Sequence, residues 1–272
     1  MKYIDMDHWK RREHFKFFHS LDYPQYNVCM NIDITHFLDV VHRDHLSLYY
    51  SMIFAVTTVA NECENFRYRI RGGRVILHEM THPSFTEMTP GDDQFKIVTM
   101  DLTGELAGFS DLARAASQSQ TSYFPDAISA QRDDLIYITC LPWISFTSMS
   151  HTIKLNPDDA APRISWGKYF RENDRVLLPL SVQVNHALAD GLHVGEFVNR
   201  LQKYLDEQSR KDTKKSFARR IKTWLQSRSN ARNVEKASTS MISRREAPAC
   251  SAAASSFFRK PPGNTWLNLP AN

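Results

Sequence analysis

From Val176 to Val184 every second residue is aliphatic. Val176, Leu178, Leu180, Val182 and Val184 fall on one face of an extended chain, and Leu177, Pro179, Ser181 and Gln183 fall on the other. A sustained period of two predicts a strand with one face in a core. Pro179 has no N–H for a ladder, which predicts an edge or a bulge there. The alternation stops at Asn185-His186, and Asp190-Gly191 marks a turn. From His193 to Gln208 the period becomes helical, with Val194, Phe197, Leu201 and Leu205 on one side. A half-buried strand, a sharp turn and an amphipathic helix confine this region to a sheet with a helix packed on it.

The remaining segments fit the same plan. Tyr26–Ile34 alternates as a strand, and Thr35 or Asp33 predicts the cap of a helix over His36–His42. Asp7 is a candidate cap for a short helix near the N-terminus. Ser47–Ala60 is apolar almost all round, as in a buried helix. Phe66–Ile70 and Val75–His78 flank Gly72-Gly73, which predicts a hairpin. Gln94–Met100 and Leu135–Phe146 suit strands. Ser110–Gln118 suits a short helix capped by Ser110, with a loop at Ser122–Pro125. Strands and helices mix without βαβ regularity. The expected class is therefore α+β, a mixed or mainly antiparallel β-sheet packed with helices.

Charge divides the chain. Residues 210–272 carry 14 Lys and Arg against 3 Asp and Glu, a net of +11, while residues 1–209 are net −7, together the chain's +4. Residues 227–256 are rich in Ser, Ala, Asn and Arg and have little apolar periodicity, so a basic, disordered extension is expected over 210–272. Within it, Phe217, Ile221, Trp224 and Leu225 fall at helical spacing among six Lys or Arg, a possible amphipathic helix over Thr213–Arg228. A catalytic domain is expected over residues 1–209. No apolar run reaches membrane-span length, and the charged N-terminus lacks a signal peptide's apolar stretch. A cytoplasmic protein without membrane contact is the expectation. Cys29, Cys63, Cys140 and Cys250 form no CxxC pair and lack zinc-ligand spacing, so free thiols and no metal are expected.

Chemistry concentrates at Val182-Gln-Val-Asn-His186-Ala-Leu-Ala-Asp190-Gly191-Leu-His193. Three readings stand. His186, Asp190 and His193 would share a face as metal ligands if the segment were helical, but a β-run leads in and Asp-Gly interrupts it. Asp190 could be a turn residue and His186 a hydrogen-bonded core group. Or a strand-end His186 projects into a cleft as a general base, a role that suits histidine's ordinary pKa near neutrality.

His186-x-x-x-Asp190-Gly191 after a β-run, followed by a Phe-containing helix, resembles the signature of the chloramphenicol acetyltransferase family, and also the acyltransferase cores of 2-oxoacid dehydrogenase complexes. Trp9-Lys-Arg11-Arg-Glu-His-Phe15, Thr139-Cys-Leu-Pro142-Trp143, Phe146-Thr-Ser148, Trp166-Gly-Lys168-Tyr169 and Leu177-Leu-Pro179-Leu resemble further chloramphenicol acetyltransferase segments, in family order over roughly residues 1–207. No lipoyl or subunit-binding segment precedes them, which argues against the dehydrogenase branch.

The resemblance implies a coenzyme-A-dependent acyltransferase fold and a homotrimer with sites at subunit interfaces. It implies acetyl-coenzyme A as co-substrate, with no permanently bound cofactor, and a small hydroxyl acceptor. His186 matches the general base and Thr139 the oxyanion hydroxyl. Asp190 and Arg11 match a structural ion pair. Phe17, Phe18, Phe95, Phe124, His151 and Ser165 fall in the acceptor pocket. Trp143, Lys168 and Tyr169 fall near the coenzyme A channel. Three positions depart from the pattern: Asn185 stands for a second histidine, Phe18 for a tyrosine and His151 for an apolar residue. The expected activity is O-acetylation of chloramphenicol, as in antibiotic resistance, without an acyl-enzyme. The alternatives are the same chemistry on another hydroxyl acceptor, or an inactive trimeric scaffold whose basic tail binds nucleic acid or anionic membrane. The intact His186, Asp190, Arg11 and Thr139 set argues against the scaffold and nucleic-acid reading.

Overall fold

The structure is a computed structural model that describes residues 1–89, 91–152 and 155–208. The expected tail over 210–272 and its helix over 213–228 lie outside the described residues.

The elements in chain order are β1 (Lys2–Tyr3), α1 (Arg12–His19), β2 (Gln25–Asp33), α2 (Thr35–Arg43), α3 (Leu48–Asn61), α4 (Glu64–Arg67), β3 (Tyr68–Arg71), β4 (Arg74–Leu77), β5 (His82–Met88), β6 (Phe95–Thr99), α5 (Leu106–Ser119), β7 (Leu135–Leu141), β8 (Arg163–Gly167), β9 (Phe170–Glu172) and β10 (Arg175–Asn185). A last helix, α6, covers 191–208. The main sheet runs β2-β10-β8-β7-β5-β6, with β9 also on β10, and a small sheet runs β1-β4-β3. β7 pairs parallel with both β5 and β8, and the other ladders are antiparallel. The sheet is mixed and packed with helices, as the patterning requires.

The aliphatic face of β10 enters the principal core. Leu178, Leu180, Val182 and Val184 pack with Val56 and Val59 of α3 and with Val194, Phe197, Leu201 and Leu205 of α6. Phe197 stacks on Phe66 at 4.7 Å between ring centroids. Each such side chain contributes roughly 1.5–3 kcal/mol by leaving water. A second cluster lies under α1 and the small sheet, where Phe15, Tyr68, Ile70, Val75 and Leu77 enclose Ala187 and Leu188. The residues just after His186 are thereby fixed by packing.

Local chemistry explains where elements depart from the sequence expectations. Pro179 is central, not at an edge. Leu180 pairs with Trp166 of β8 and Leu177 with Phe170 of β9, so Pro179 falls where β10 changes partner and needs no N–H. α5 starts at Leu106, and Ser110 is an interior residue donating to Leu106 O at 3.1 Å rather than a cap. α1 starts after Arg11, so Asp7 does not cap it. The N-cap of α2 is Ile34, while Asp33 Oδ1 accepts from Thr35 N at 2.9 Å. β7 ends at Leu141, before Pro142, whose nitrogen cannot extend a ladder. Gly72 and Gly73 have φ of 55° and 72°, as the predicted hairpin demands. Among the described residues no helix is long and apolar enough to cross a membrane.

Candidate active site

β10 ends at Asn185, and residues 186–188 form a turn, so the helical premise of a metal site over His186, Asp190 and His193 fails. Every main-chain N–H and C=O of residues 186–188 has a partner. His186 N donates to Pro24 O at 2.8 Å, and Ala187 N donates to Asn185 Oδ1 at 2.9 Å. Arg11 Nη2 donates to His186 O and Nε to Ala187 O, at 2.8 and 2.9 Å. Asn65 Nδ2 donates to Leu188 O at 2.6 Å. Asp190 N donates to His193 Nδ1 at 2.9 Å, which requires that nitrogen to be unprotonated. Burial, followed by the Arg11 charge, holds the His193 pKa below its ordinary value, consistent with that role.

Arg11 also grips Asp190 with two bonds of 2.5 Å. Its guanidinium therefore ties α1 to both ends of the turn in fork geometry. His186 Nδ1 lies 3.1 Å from Asp190 Oδ1, yet off the line a hydrogen bond requires, so the two groups are in contact without one. The imidazole plane is set by rings instead. Phe18 stacks on His186 at 3.8 Å with a 6° interplanar angle, and Tyr26 lies tilted at 4.6 Å. Phe17 meets Phe18 edge-on and is otherwise exposed.

The Arg11 hydrogen bonds hold the Asp190 carboxyl below the usual carboxylate range. A depressed folded-state pKa contributes stability that is present above the unfolded-state value and lost as pH falls through the folded one. The Arg11 and Asp190 side chains are 11% and 32% exposed, so solvent weakens the pair. Asp190→Asn is expected to cost roughly 2–4 kcal/mol by urea unfolding at neutral pH. The wild type should then lose more stability than the variant between about pH 5 and pH 3. Equal acid losses would mean that the pair contributes nothing through Asp190 ionisation.

A second group of side chains lies across the sheet. Thr139 of β7 is in register with Ser165 of β8, and Ser165 with Ser181 of β10. Ser165 Oγ is 3.3 Å from His151 Nε2. Burial and the charge of Arg163 hold the His151 pKa down. Lys168 N donates to Ile144 O at 2.7 Å, which folds the 142–146 loop back on the end of β8 and brings exposed Trp143 toward Lys168 and Tyr169. Only glycine fits at 167, because a Cβ would stand 2.7 Å from Ile144 O. Phe95 lies on β6 at the far sheet edge. Ile97 N donates to Tyr123 O at 2.7 Å, laying the loop that carries Phe124 along the same edge. Phe95 and Phe124 are 50% and 65% exposed.

The candidates thus form two sets, one around His186, Arg11, Asp190, Phe17 and Phe18, the other around Thr139, Ser165 and His151. Thr139 is two strands from β10, and His186 is five residues beyond Ser181. Spacings of about 4.8 Å between strands and 3.3 Å along them put the two Cα atoms roughly 19 Å apart. Tyr26 and Asn185 belong to the site but carry no motif of their own. Tyr26 becomes visible only once β2 is paired with β10, where it faces Val184. Asn185 Nδ2 donates to Pro157 O and Asp159 O, tying the loop before β8 to the strand end.

A family model described as chloramphenicol acetyltransferase matches residues 1–202. The chain belongs to the chloramphenicol acetyltransferase family. A chloramphenicol acetyltransferase from Klebsiella sp is 30% identical over 207 residues, covering 75% of this chain and 93% of that protein. Chloramphenicol acetyltransferase 2 of Haemophilus influenzae is 32% identical over 207 residues, covering 75% and 96%. A solved chloramphenicol acetyltransferase structure superposes with a TM-score of 0.69 at 23% identity, over 75% of this chain and 99% of that one. A probable dihydrolipoamide acetyltransferase from Listeria monocytogenes 4b F2365 gives 0.54 at 15% identity, over 73% and 92%. The fold is the coenzyme-A-dependent acyltransferase fold expected from the motifs. As a chloramphenicol acetyltransferase family member, the chain is an acyltransferase of that type.

Proposed function

We propose that this chain transfers the acetyl group of acetyl-coenzyme A to a hydroxyl of chloramphenicol, with His186 as general base and Thr139 as oxyanion donor. The observation that carries the reading is the presentation of His186. A strand-end imidazole stands on a turn whose carbonyls and carboxylate are held by Arg11, with its plane fixed by Phe18 and Tyr26. Nδ1 faces Asp190, so Nε2 is the nitrogen that takes the proton. The hydroxyl oxygen then attacks the thioester carbonyl, the oxyanion forms against a hydroxyl donor, and collapse expels the coenzyme A thiolate. The imidazolium returns its proton to that thiolate, so no acyl-enzyme is required. The Asp190 carboxylate stabilises the cation that forms beside it.

The roughly 19 Å between His186 and Thr139 supports an assembly. Two groups so far apart cannot both touch one acyl carbon, so the base of one copy works with Thr139 of a neighbour. A closed homotrimer satisfies this with three equivalent sites. Phe17, Phe95 and Phe124, exposed in the single chain, would line the acceptor pocket there. Trp143, Lys168 and Tyr169 would face coenzyme A.

Thiol release from acetyl-coenzyme A in the presence of chloramphenicol tests the transfer. Release only with other alcohols would move the acceptor assignment, with Phe18 and His151 as the departures to examine. No release with any alcohol would favour a scaffold. The family match ends at 202, so we place the catalytic unit in residues 1–209. A chain ending at Gln208 is expected to keep turnover and assembly within about twofold, by thiol release and light scattering, since exposed charge contacts are weak and screened. Loss of either in the shortened chain alone would place part of residues 210–272 in the catalytic unit.

A further inference from the structure

His151 has no part in the transfer steps, yet it is held in place on the face of the sheet that carries Thr139. Asn27 Nδ2 of β2 donates to Met149 O at 2.7 Å, which lays the chain before His151 against that face. Ser165 Oγ of β8 then meets His151 Nε2 at 3.3 Å. Ser165 is the in-register neighbour of Thr139, so the two side chains leave the sheet on the same side. A strand spacing of about 4.8 Å and that hydrogen bond put the imidazole within roughly 10 Å of the Thr139 hydroxyl. A hydroxyl on the adjacent or next carbon of an acceptor reacting at Thr139 falls within that span.

Both groups are open. Thr139 and His151 are partly exposed, and neither Thr139 Oγ1 nor His151 Nδ1 is among the sealed side-chain atoms that lack a partner. Among the described residues the imidazole's hydrogen-bond partner is Ser165, which leaves Nδ1 unengaged. The nearby Arg163 is committed elsewhere. Its Nη2 donates to Asp159 Oδ2 at 2.7 Å, and its guanidinium lies over the Tyr137 ring. Burial, followed by the Arg163 charge, disfavours the imidazolium. A neutral imidazole has one donor and one acceptor nitrogen, and whichever role Nε2 takes toward Ser165, Nδ1 takes the other. A hydroxyl both donates and accepts, so it satisfies Nδ1 in either tautomer. A carbonyl suits only one of them.

We propose that His151 is a specificity residue whose Nδ1 hydrogen-bonds a second hydroxyl of the acceptor. The substrate class is then a diol rather than a simple alcohol. The inference rests on the proposed transfer, with the reacting hydroxyl at the Thr139 end of the site. Chloramphenicol has the required pair, a primary and a benzylic hydroxyl on either side of its amide-bearing carbon. The primary hydroxyl is the less hindered nucleophile, which leaves the benzylic one for His151.

Equilibrium binding by calorimetry without coenzyme tests the contact, using the full chain and two probes. These are chloramphenicol and its analogue in which hydrogen replaces the benzylic hydroxyl. Wild type is expected to bind the analogue about tenfold more weakly, and His151→Leu to bind both probes alike. Melting curves separate lost recognition from lost folding, and His151→Ala gives the same comparison if leucine does not fit the space. Wild type that binds the two probes alike, a folded variant that keeps the tenfold preference, or no binding of either probe overturns the proposal. Thiol release with chloramphenicol in the absence of that preference removes the His151 contact and leaves the transfer reading standing. The expected preference without thiol release supports the contact and removes the transfer reading.

Discussion

His186→Ala is expected to lower acetyl transfer to chloramphenicol by about 10²–10⁴-fold, the range that loss of a positioned general base produces. The fall should appear in kcat, because the imidazole acts on a proton that moves only as the carbon–oxygen bond forms. Folding should be little affected. The turn is held through main-chain groups of residues 186–188, and an alanine keeps all of them. The Ala187 and Leu188 side chains that anchor it in the small core are unchanged. Steady-state kinetics beside a melting curve would separate these effects. Turnover near that of the wild type in a folded variant would remove His186 from the mechanism.

Thr139→Ala is expected to reduce kcat by about 10²–10³-fold with little change in KM, since an oxyanion donor acts mainly in the transition state. A raised KM with unchanged kcat would make Thr139 a binding residue. The spacing of Thr139 and His186 makes a stronger experiment possible. If each site takes His186 from one copy and Thr139 from another, mixed assemblies of the two inactive variants should recover activity. Random association of equal amounts regenerates about one intact site in four. Co-refolding the variants and assaying thiol release would measure this. Activity no higher than either variant alone would mean that both groups act within one chain.

Much of the fold was legible because particular segments had one physical solution. β10 alternates over its whole length, α3 is apolar almost all round, and Gly72-Gly73 has the freedom that a tight hairpin needs. β5 was not legible. His82-Pro83-Ser84-Phe85-Thr86-Glu87-Met88 has no clean alternation, and its place is fixed by parallel pairing with β7. α5 was read too short because Gly108 interrupts the helical pattern in its first turn. At the site, residue identity gave the chemistry of His186, Asp190 and Arg11, and the motif gave their kinship. Local sequence could not give the tertiary meeting of Phe18 and Tyr26 at the imidazole. Tyr26 is placed by the register of β2 on β10, and Phe18 by α1, which Arg11 ties to the turn more than a hundred residues away.

The face-on contact between Phe18 and His186 has a magnetic consequence. Nuclei held above an aromatic face are shielded by its circulating π-electrons, and a ring 3.8 Å away at 6° leaves the imidazole well inside that cone. The carbon-bound protons of His186 should resonate upfield of those of the chain's ten other histidines. Phe18→Leu should return them to the ordinary range. The base thus carries its own spectroscopic label, so its titration can be followed by proton resonance in the unmodified protein.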